Sequence, residues 1–431
     1  MALTIAEHVK LTGRTLGFDY LRIGLSMSII LWHAIPLSYS PGVELTWWRS
    51  LVGTGMHFVL PMFFALSGFL VAGSLDRCRT LVSFFGLRVL RIIPALAVEV
   101  TLSALLFGPA LTSFTPADYF TDPEFAHYFL NMIGDIHYVL PGLFAANPTA
   151  NTVNAQLWTI PFELQCYLAI GGLATAGVLR RRWIVLAVVV LSQCLWAWRA
   201  IALGDNGGSG GASGPVLVIS FLSGILFHLY RDRIQLRLSW LSIVLAAGFV
   251  LSSLPHGAYF LPVLATYLTV YLGLLNPPAT RLVSSGDYSY GLYLYGYPLQ
   301  QAVASIGPSA HHWWVSVALA LPGAMAIAYF SWHFIEKPTL ALRRHLPRIE
   351  NMLISMTRGS TAIARPACPG PMTQQLLAMG AVCGGLAGTL LLVNANEGLA
   401  VIAVAGGFAA ALLSARHGAP SWFASGAARG P

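Results

Sequence analysis

Long apolar segments recur along the whole chain, and they constrain its fold more than any other feature. A helix needs about 20 predominantly apolar residues to cross the hydrocarbon core of a bilayer. Such segments lie at 21–38, 56–74, 92–112, 157–179, 183–203, 215–230, 240–254, 259–275, 287–306, 312–335, 376–393 and 397–415. We therefore predict an all-α, polytopic membrane protein with about ten core transmembrane helices and a C-terminal two-helix hairpin.

The composition excludes a water-soluble enzyme. Only 9% of the 431 residues are charged and 56% are hydrophobic, whereas soluble domains are about 25% charged. The five cysteines lie far apart and show no Cys-x-x-Cys spacing. They indicate neither a disulfide framework nor a zinc site, and we expect no metal ion.

The basic residues indicate how the chain is oriented in the membrane. Of the 24 Lys and Arg residues, all except Arg49 and Arg199 fall in alternate connecting segments between the predicted spans. Because basic segments stay on the cytoplasmic side, this pattern predicts that both termini are cytoplasmic. Topology therefore accounts for the net charge of +8, and we expect no nucleic-acid partner.

Titratable side chains inside predicted spans are costly and point to a functional site. In the first span, Asp19 and Arg22 lie at the inner end, and His33 lies about 16 Å farther along the helix. Glu163 lies early in a span that enters from the outer face, at a depth comparable to that of His33. We expect these two groups to pair, although a packing histidine and a helix-capping carboxylate are alternatives.

Two arginines lie on one face of a predicted helix at the inner interface. Arg88 and Arg91 are three residues apart, so their side chains are neighbours on the helix surface. Together with Arg22 they would clamp the phosphates of a nucleotide-like donor, because arginine forms planar bidentate hydrogen bonds. The alternative is that they only snorkel to the interface and set the orientation. Glu99, farther along the same predicted helix, is expected to be an interhelical hydrogen-bonding partner. Structural rather than catalytic roles are expected for Asp287 and Glu336, which lie at inner interfaces.

The segments outside the core spans divide the chain. Residues 113–156 form the longest predicted outer segment, which contains no basic residue, and we interpret it as a cap that faces an acceptor. We predict a membrane domain at 1–345, a cytoplasmic linker at 346–375, and an accessory hairpin with a short tail at 376–431. The hairpin is rich in Gly and Ala, which favours helix packing or homo-oligomer formation.

Several motifs occur in the order typical of one enzyme family. They are Asp19, Arg22 and His33; FFALSGFLV at 63–71; Arg88, Arg91 and Pro94; LWTIPFELQCYL at 157–168; SYGLYLYGYPLQ at 289–300; and HFIEKPTLAL at 333–342. Through them residues 17–345 resemble the integral-membrane acyltransferase-3 family, the O-acyltransferases of cell-surface and exported polysaccharides.

The resemblance implies a bacterial inner-membrane enzyme that moves an acyl group, most often acetyl, from cytosolic acyl-coenzyme A to a sugar hydroxyl at the outer face. Acyl-CoA is then a co-substrate, and no permanently bound cofactor is expected. His33 would be the general base or a transient acyl carrier, with its tautomer held by Glu163. The expected partners are acyl-CoA, a carbohydrate acceptor and membrane lipid. The expected donor-binding group consists of Arg22, Arg88, Arg91 and the supporting Asp19.

The chain departs from the family pattern in two places. Gly296 stands where many members have a second histidine. The hairpin at 376–415 takes the place of a frequent extracellular esterase-like domain, so acyl transfer would have to finish in the membrane domain.

Two other functions fit a chain of this kind. A secondary transporter or flippase for a polar lipid-linked glycan is the alternative from another class, since it also needs many spans and a central titratable residue. Its signature would be self-similar halves, and we find none in the sequence. The membrane-bound O-acyltransferases that use a His and Asn pair are a second enzyme class, but they lack the motifs quoted above.

Overall fold

The computed structural model describes residues 2–13, 15–43, 51–78, 80–204 and 213–358, and this part of the chain consists of helices and loops without a β-strand. Isolated bridges pair Thr4 with Gln235 and Thr112 with Leu143. In chain order the α-helices are α1 (Ile5–Thr12), α2 (Gly17–Tyr39), α3 (Leu51–Met56), α4 (Val59–Arg77), α5 (Leu81–Leu102), α6 (Gly108–Leu111), α7 (Pro116–Thr121), α8 (Pro123–Tyr128), α9 (Ile160–Thr175), α10 (Arg182–Ala202), α11 (Gly214–Leu229), α12 (Leu238–Ser253), α13 (Leu261–Gly273), α14 (Arg281–Ser285), α15 (Ser289–Ala304), α16 (Trp313–Phe330), α17 (Lys337–Ala341) and α18 (Leu346–Arg358).

Several of these helices are suited to a membrane. Among the described residues, five are long and apolar enough to cross one, namely Gly17–Tyr39, Gly53–Arg77, Leu81–Leu111, Arg182–Ala202 and Trp313–Met352. Three further apolar helices are shorter, namely Gly214–Leu229, Leu238–Ser253 and Gly257–Gly273. The predicted all-helical membrane class is confirmed. The count of about ten core spans stays a prediction, and the hairpin at 376–415 lies outside the described residues.

Helix α11 lies at the centre of the bundle. Every residue from 214 to 228 is buried, as expected for a helix that is apolar on all sides. It crosses α4 closely at two glycines, because the backbone of Phe221 occupies the space for a Cβ at Gly68, and the backbone of Ala65 occupies that at Gly224. The two helices therefore approach closely at Gly68, and a larger residue there would push them apart.

Buried amide side chains hold the outer segment (113–156) against the helix ends. Asn147 Nδ2 donates to the backbone and side-chain oxygens of Gln301 at 2.9 and 2.7 Å. Asn154 Nδ2 donates to the carboxylate of Glu99, which is fully buried in α5. Glu99 thus has the structural hydrogen-bonding role that the sequence predicted, although this partner belongs to the outer segment rather than to another helix.

The start of the predicted linker (346–375) is a helix attached to the membrane domain. The side chain of Leu346 in α18 fills the space beside Gly86 of α5. Ser83 Oγ of α5 donates to Glu350 Oε2 at 2.6 Å. The rest of the linker, from residue 359, lies outside the described residues, and the division of the chain into domains stays a prediction.

Candidate active site

A cavity of about 160 Å³ lies between α2, α4, α5, α9 and α15, and it brings the three predicted donor-binding arginines together. We call it the arginine pocket. Its remaining walls are apolar side chains, chiefly of α4. Its polar lining consists of Arg22, Ser67, Arg88, Arg91, Thr159, Glu163, Tyr167, Ser289, Tyr290 and Tyr293.

One carboxylate holds two of these arginines. Asp287 Oδ2 accepts from Arg22 Nη1 at 3.0 Å and from Arg91 Nη2 at 2.7 Å. The other oxygen of Asp287 accepts from Ser289 Oγ at 2.6 Å. Asp19 lies farther from Arg22 Nη1, at 3.8 Å. Because Asp287 lies just before α15, it joins the start of this helix to α2 and α5, which is the structural role predicted for it.

A π-helical turn, Ser331–Glu336, brings a second carboxylate to Arg91. Glu336 is only 2% exposed and accepts from Arg91 Nη1 at 3.2 Å and from Ser331 Oγ at 3.1 Å. A π-turn changes the register of the side chains that follow it, and such turns are frequent at functional sites. Arg91 is therefore paired with two carboxylates, and Glu336 also has its predicted structural role.

Arg88 differs from the other two arginines of the pocket. Within the described parts of the chain it makes no ion pair with a carboxylate. Its Nη2 donates to Ser74 Oγ at 3.3 Å, and its guanidinium lies 5.7 Å from the centre of the Tyr167 ring. Its Nε is buried and has no hydrogen-bond partner among the residues that the structure describes. Arg88 thus has hydrogen-bonding capacity and a positive charge available to a ligand of the pocket.

Glu163 lies in the first turn of α9 and faces the arginine pocket. Its Oε1 accepts from the hydroxyl of Tyr167, one turn later on α9, at 2.5 Å. The same hydroxyl lies 3.5 Å from Ser67 Oγ of α4. Glu163 is therefore held by its own helix, on the side of the arginines.

A second cavity, of about 210 Å³, contains His33, and we call it the histidine pocket. The imidazole of His33 packs against the Tyr297 ring in a T-shaped contact, with 5.1 Å between the ring centroids and an interplanar angle of 79°. Apolar and aromatic side chains form most of the wall. The lining consists of Ser28, Ile29, Trp32, His33, Met56, Val59, Leu60, Gln156, Trp158 and Tyr293.

The two pockets share a wall. Leu60 of α4 and Tyr293 of α15 line both of them. The Tyr293 hydroxyl donates to the backbone oxygen of Gln156 at 2.5 Å and is also hydrogen-bonded to Thr159 Oγ1. Tyr293 is therefore fixed to the turn that precedes α9, and it separates the histidine from the arginines.

The expected pairing of His33 with Glu163 is not found in the part of the chain that the structure describes. The two residues line different pockets, and the carboxylate is engaged by Tyr167 instead. Depth along two helices could be read from the sequence, but the rotation of each helix could not. The three arginines predicted to bind the donor line one pocket, with Asp19 at their edge.

Aromatic side chains contribute to the site in a way that was not predicted from the sequence. Tyr167, Tyr290 and Tyr293 all line the arginine pocket, and the first two stand 5.7 and 5.8 Å from an arginine guanidinium. A signal was present, since Tyr290 and Tyr293 are three residues apart and so lie on one helical face. The motif that contains them, SYGLYLYGYPLQ at 289–300, indicated the family but not this role.

The glycine that departs from the family pattern has a packing reason. A Cβ added to Gly296 would lie 2.7 Å from Cγ1 of Ile30, so α15 and α2 approach closely at this point. A histidine here would require Ile30 or the helix backbone to shift, because even one added carbon is too near. The histidine pocket is therefore built around one imidazole, that of His33.

The sequence model of a protein family described as an acyltransferase domain matches residues 15–333 of the chain. This range includes both pockets. The chain belongs to the acyltransferase-3 family. It is a membrane acyltransferase, and the family predicted from the motifs is confirmed.

Two similar proteins accompany this match. The acyltransferase is 29% identical over 370 residues to nodulation protein 10 of Rhizobium leguminosarum bv. viciae, covering 78% of this chain and 96% of the relative. It is 26% identical over 334 residues to an O-acetyl transferase of Shigella phage Sf6, covering 74% of this chain and 94% of that protein. No solved structure matches the chain.

Proposed function

We propose that this acyltransferase moves an acetyl group from cytosolic acetyl-CoA to a sugar hydroxyl of a cell-surface or exported glycan. The observation that carries the proposal is the pair of adjacent pockets, one containing arginines and the other a histidine, with Leu60 and Tyr293 in both linings. A donor bound through its phosphates beside the arginines has only this wall between its acyl end and the imidazole.

Arg88 is the group we expect to contact the donor phosphates most directly. Phosphate oxygens prefer the paired N–H groups of arginine, and the buried Nε of Arg88 has no partner in the described part of the chain. Arg22 and Arg91 already share Asp287, so we assign them mainly to positioning and to the local positive potential. This revises the clamp of three equivalent arginines that the sequence favoured.

His33 is the group we expect to act on the acceptor hydroxyl. Among the described residues its ring makes an edge contact with Tyr297 and no hydrogen bond, so its nitrogens are available to a substrate in the pocket. As a general base it would remove the hydroxyl proton while the oxygen attacks the acetyl carbonyl, and CoA leaves as the thiol. As an acyl carrier it would hold the acetyl group between two transfers.

Glu163 keeps a place in the proposal, in a different role. Its carboxylate lies with Tyr167 on the wall of the arginine pocket. We propose that it helps to shape the donor site next to Arg88 rather than to orient His33.

The relatives support the proposed transfer to oxygen, and the charge pattern supports the proposed location. The phage relative is named as an O-acetyl transferase, which favours acetyl transfer to oxygen. We propose that the enzyme lies in the bacterial inner membrane with both termini cytoplasmic. Nearly all basic residues fall in segments that the predicted topology places on one side of the membrane, and basic segments stay on the cytoplasmic side. The outer segment (113–156) would then face the glycan.

The test uses the purified full-length protein in nanodiscs with radiolabelled acetyl-CoA. We expect release of CoA thiol and transfer of label to glycan isolated from a strain that lacks the gene, and mass spectrometry should show that this glycan has lost acetyl groups. Movement of a lipid-linked glycan across the bilayer without label transfer would favour the transporter alternative. Absence of thiol release together with unchanged glycan would overturn the proposal.

A further inference from the structure

The outer segment contains a group of metal-ligating side chains that belongs to neither pocket. Glu124 and His127 lie one turn apart on α8, and His137 follows the turn at Gly134. One ligand atom from each of these three side chains lies within 4.8 Å of the others. We propose that Glu124, His127 and His137 bind a divalent transition metal, and that zinc is the best match.

The backbone around the group is held in place by Asn131, which is fully buried. Its Nδ2 donates to the backbone oxygens of Tyr128 and His137 at 2.7 and 2.8 Å. Its Oδ1 accepts from the backbone nitrogen of His137 at 3.0 Å. The Asn131 side chain thus holds the end of α8 against the loop that carries His137. The backbone on both sides of the site is therefore already in place before a metal binds.

The start of α8 is held as well. Asp122 caps this helix, and its carboxylate accepts from the backbone nitrogen of Glu124 at 2.9 Å. The carboxylate of Glu124 is therefore not used for capping and remains available. Its Oε1 lies 3.9 Å from Nδ1 of His127.

His137 supplies the observation that points to a ligand. Its Nε2 is shielded from solvent and has no hydrogen-bond partner among the described residues. Its ring lies 5.5 Å from that of His127, centroid to centroid, at an interplanar angle of 32°. Asp135 Oδ1 is 3.6 Å from this nitrogen, beyond hydrogen-bonding distance. A metal ion between Glu124, His127 and His137 would satisfy the buried nitrogen.

The ligand set selects the type of metal. Two imidazoles with one carboxylate suit zinc, whereas calcium and magnesium prefer oxygen ligands alone. Zinc bonds of about 2.0–2.2 Å in a tetrahedron hold the ligand atoms roughly 3.4 Å apart. The side chains must therefore close by on the order of 1 Å, which rotation of exposed side chains permits; His127 and Glu124 are 50% and 48% exposed.

A metal at this position would act as a structural crosslink. It would join α8 to residues 135–137 and so stiffen the outer segment, which is also attached to the helix bundle through Asn147 and Asn154. We expect zinc to stabilise the folded protein by mass action and not to take part in acyl transfer.

The experiment uses the full-length protein, purified in detergent with an affinity tag that contains no histidine and freed of metal with EDTA. Zinc chloride is titrated calorimetrically, and cobalt(II) absorption reports the coordination geometry. We expect one equivalent of zinc, tetrahedral cobalt bands, and a higher melting temperature with zinc. The variants His127→Ala, His137→Ala and Glu124→Gln should each bind zinc at least tenfold more weakly.

The matched control is His312→Ala, which removes an exposed histidine that is distant in sequence from this group. It should bind zinc as the wild type does. If His137→Ala does not fold, the exposed positions 124 and 127 carry the test, with an unchanged metal-free melting temperature as the criterion of folding. Absence of a zinc equivalent in the wild type, or undiminished binding by His127→Ala and Glu124→Gln, would overturn the proposal.

Discussion

The two pockets of this acyltransferase are neighbours with opposite chemical character. In the arginine pocket two of the three cations, Arg22 and Arg91, meet carboxylates from distant parts of the chain, since Asp287 bridges them. In the histidine pocket the His33 imidazole stands among apolar and aromatic side chains. Only Leu60 and Tyr293 belong to both linings as described.

This difference illustrates how a membrane enzyme can keep the binding of an anionic donor and the exchange of a proton in separate pockets. Charges that bind an anionic donor are costly in lipid, so they lie together and compensate one another. A group that exchanges a proton must instead keep a lone pair available, and hydrogen-bonding partners would occupy it. The variants below each change one region of the protein, and the measurements show whether activity, donor affinity and stability change together or separately.

The largest effect is expected from His33→Ala. It should lower acetyl transfer by about 10²–10⁴-fold, because this is the usual contribution of a general base. Acetyl-CoA affinity should stay unchanged, since His33 is outside the arginine pocket. Steady-state kinetics and calorimetric donor titration measure the two quantities, with His312→Ala as the control. Turnover above about a tenth of the wild-type rate would show that His33 is not the base.

The next effect concerns stability. Arg91→Ala leaves Asp287 without one partner and Glu336 without a cation, and breaking a buried ion pair costs about 3–5 kcal/mol. We expect a lower melting temperature in detergent and a reduced yield of monodisperse protein. The double variant with Glu336→Gln should recover part of the loss. Wild-type stability of Arg91→Ala would mean that these carboxylates do not depend on it.

A smaller effect, on donor binding alone, is expected from Arg88→Ala. Loss of a charge-assisted hydrogen bond to phosphate should weaken acetyl-CoA affinity about tenfold or more. The melting temperature should change little, because no carboxylate partner of Arg88 is found among the described residues. Lysine should rescue only partly, since it lacks the planar fork. Equal donor affinity of wild type and Arg88→Ala, measured by calorimetry, would return Arg88 to a purely topological role.

Glu163→Gln tests which pocket Glu163 serves. The hydrogen bond from Tyr167 can persist to the amide oxygen, so we expect a change of several-fold in KM for the donor and little change in kcat or its pH profile. Tyr167→Phe should resemble it. A large fall in kcat with an altered pH profile would instead restore the predicted pairing with His33.

The smallest effect is expected from truncation after Arg358. Both pockets and α18 are kept, and the matched family region ends at residue 333. Transfer in detergent should stay near the wild-type rate, with any loss confined to oligomerisation or yield. A truncated protein that is monodisperse but neither binds nor turns over acetyl-CoA would place the hairpin in the active site.

Much of the fold was predictable because lipid imposes simple rules. A spanning segment must satisfy its own backbone hydrogen bonds, so apolar runs became α2, α4, α10 and α16 at nearly the predicted bounds. Helix α5 begins at Leu81, well before the predicted start at residue 92. The motifs identified the family for the same reason, since they carry the few polar groups that such a bundle tolerates. Arg22, Arg88, Arg91 and His33 were found without the structure.

The pairing within the site was not predictable. Position in a sequence states how deep a residue lies, but the rotation of a helix decides which cavity its side chain enters. Glu163 and His33 therefore lie in different pockets, and Asp287 and Glu336 reach Arg91 from 196 and 245 residues away in the chain. No local pattern contains such contacts.

The sequence by itself determined that this protein lies in a membrane, that it is helical, which family it belongs to, and which polar residues are candidates for the site. Those properties follow from composition and spacing, which each segment carries alone. Only the tertiary structure decided that two arginines are neutralised while Arg88 remains available, that Tyr293 divides two pockets, and that Glu124, His127 and His137 meet. These depend on how helices and loops pack against one another, because side-chain contacts form across hundreds of residues only when the bundle closes.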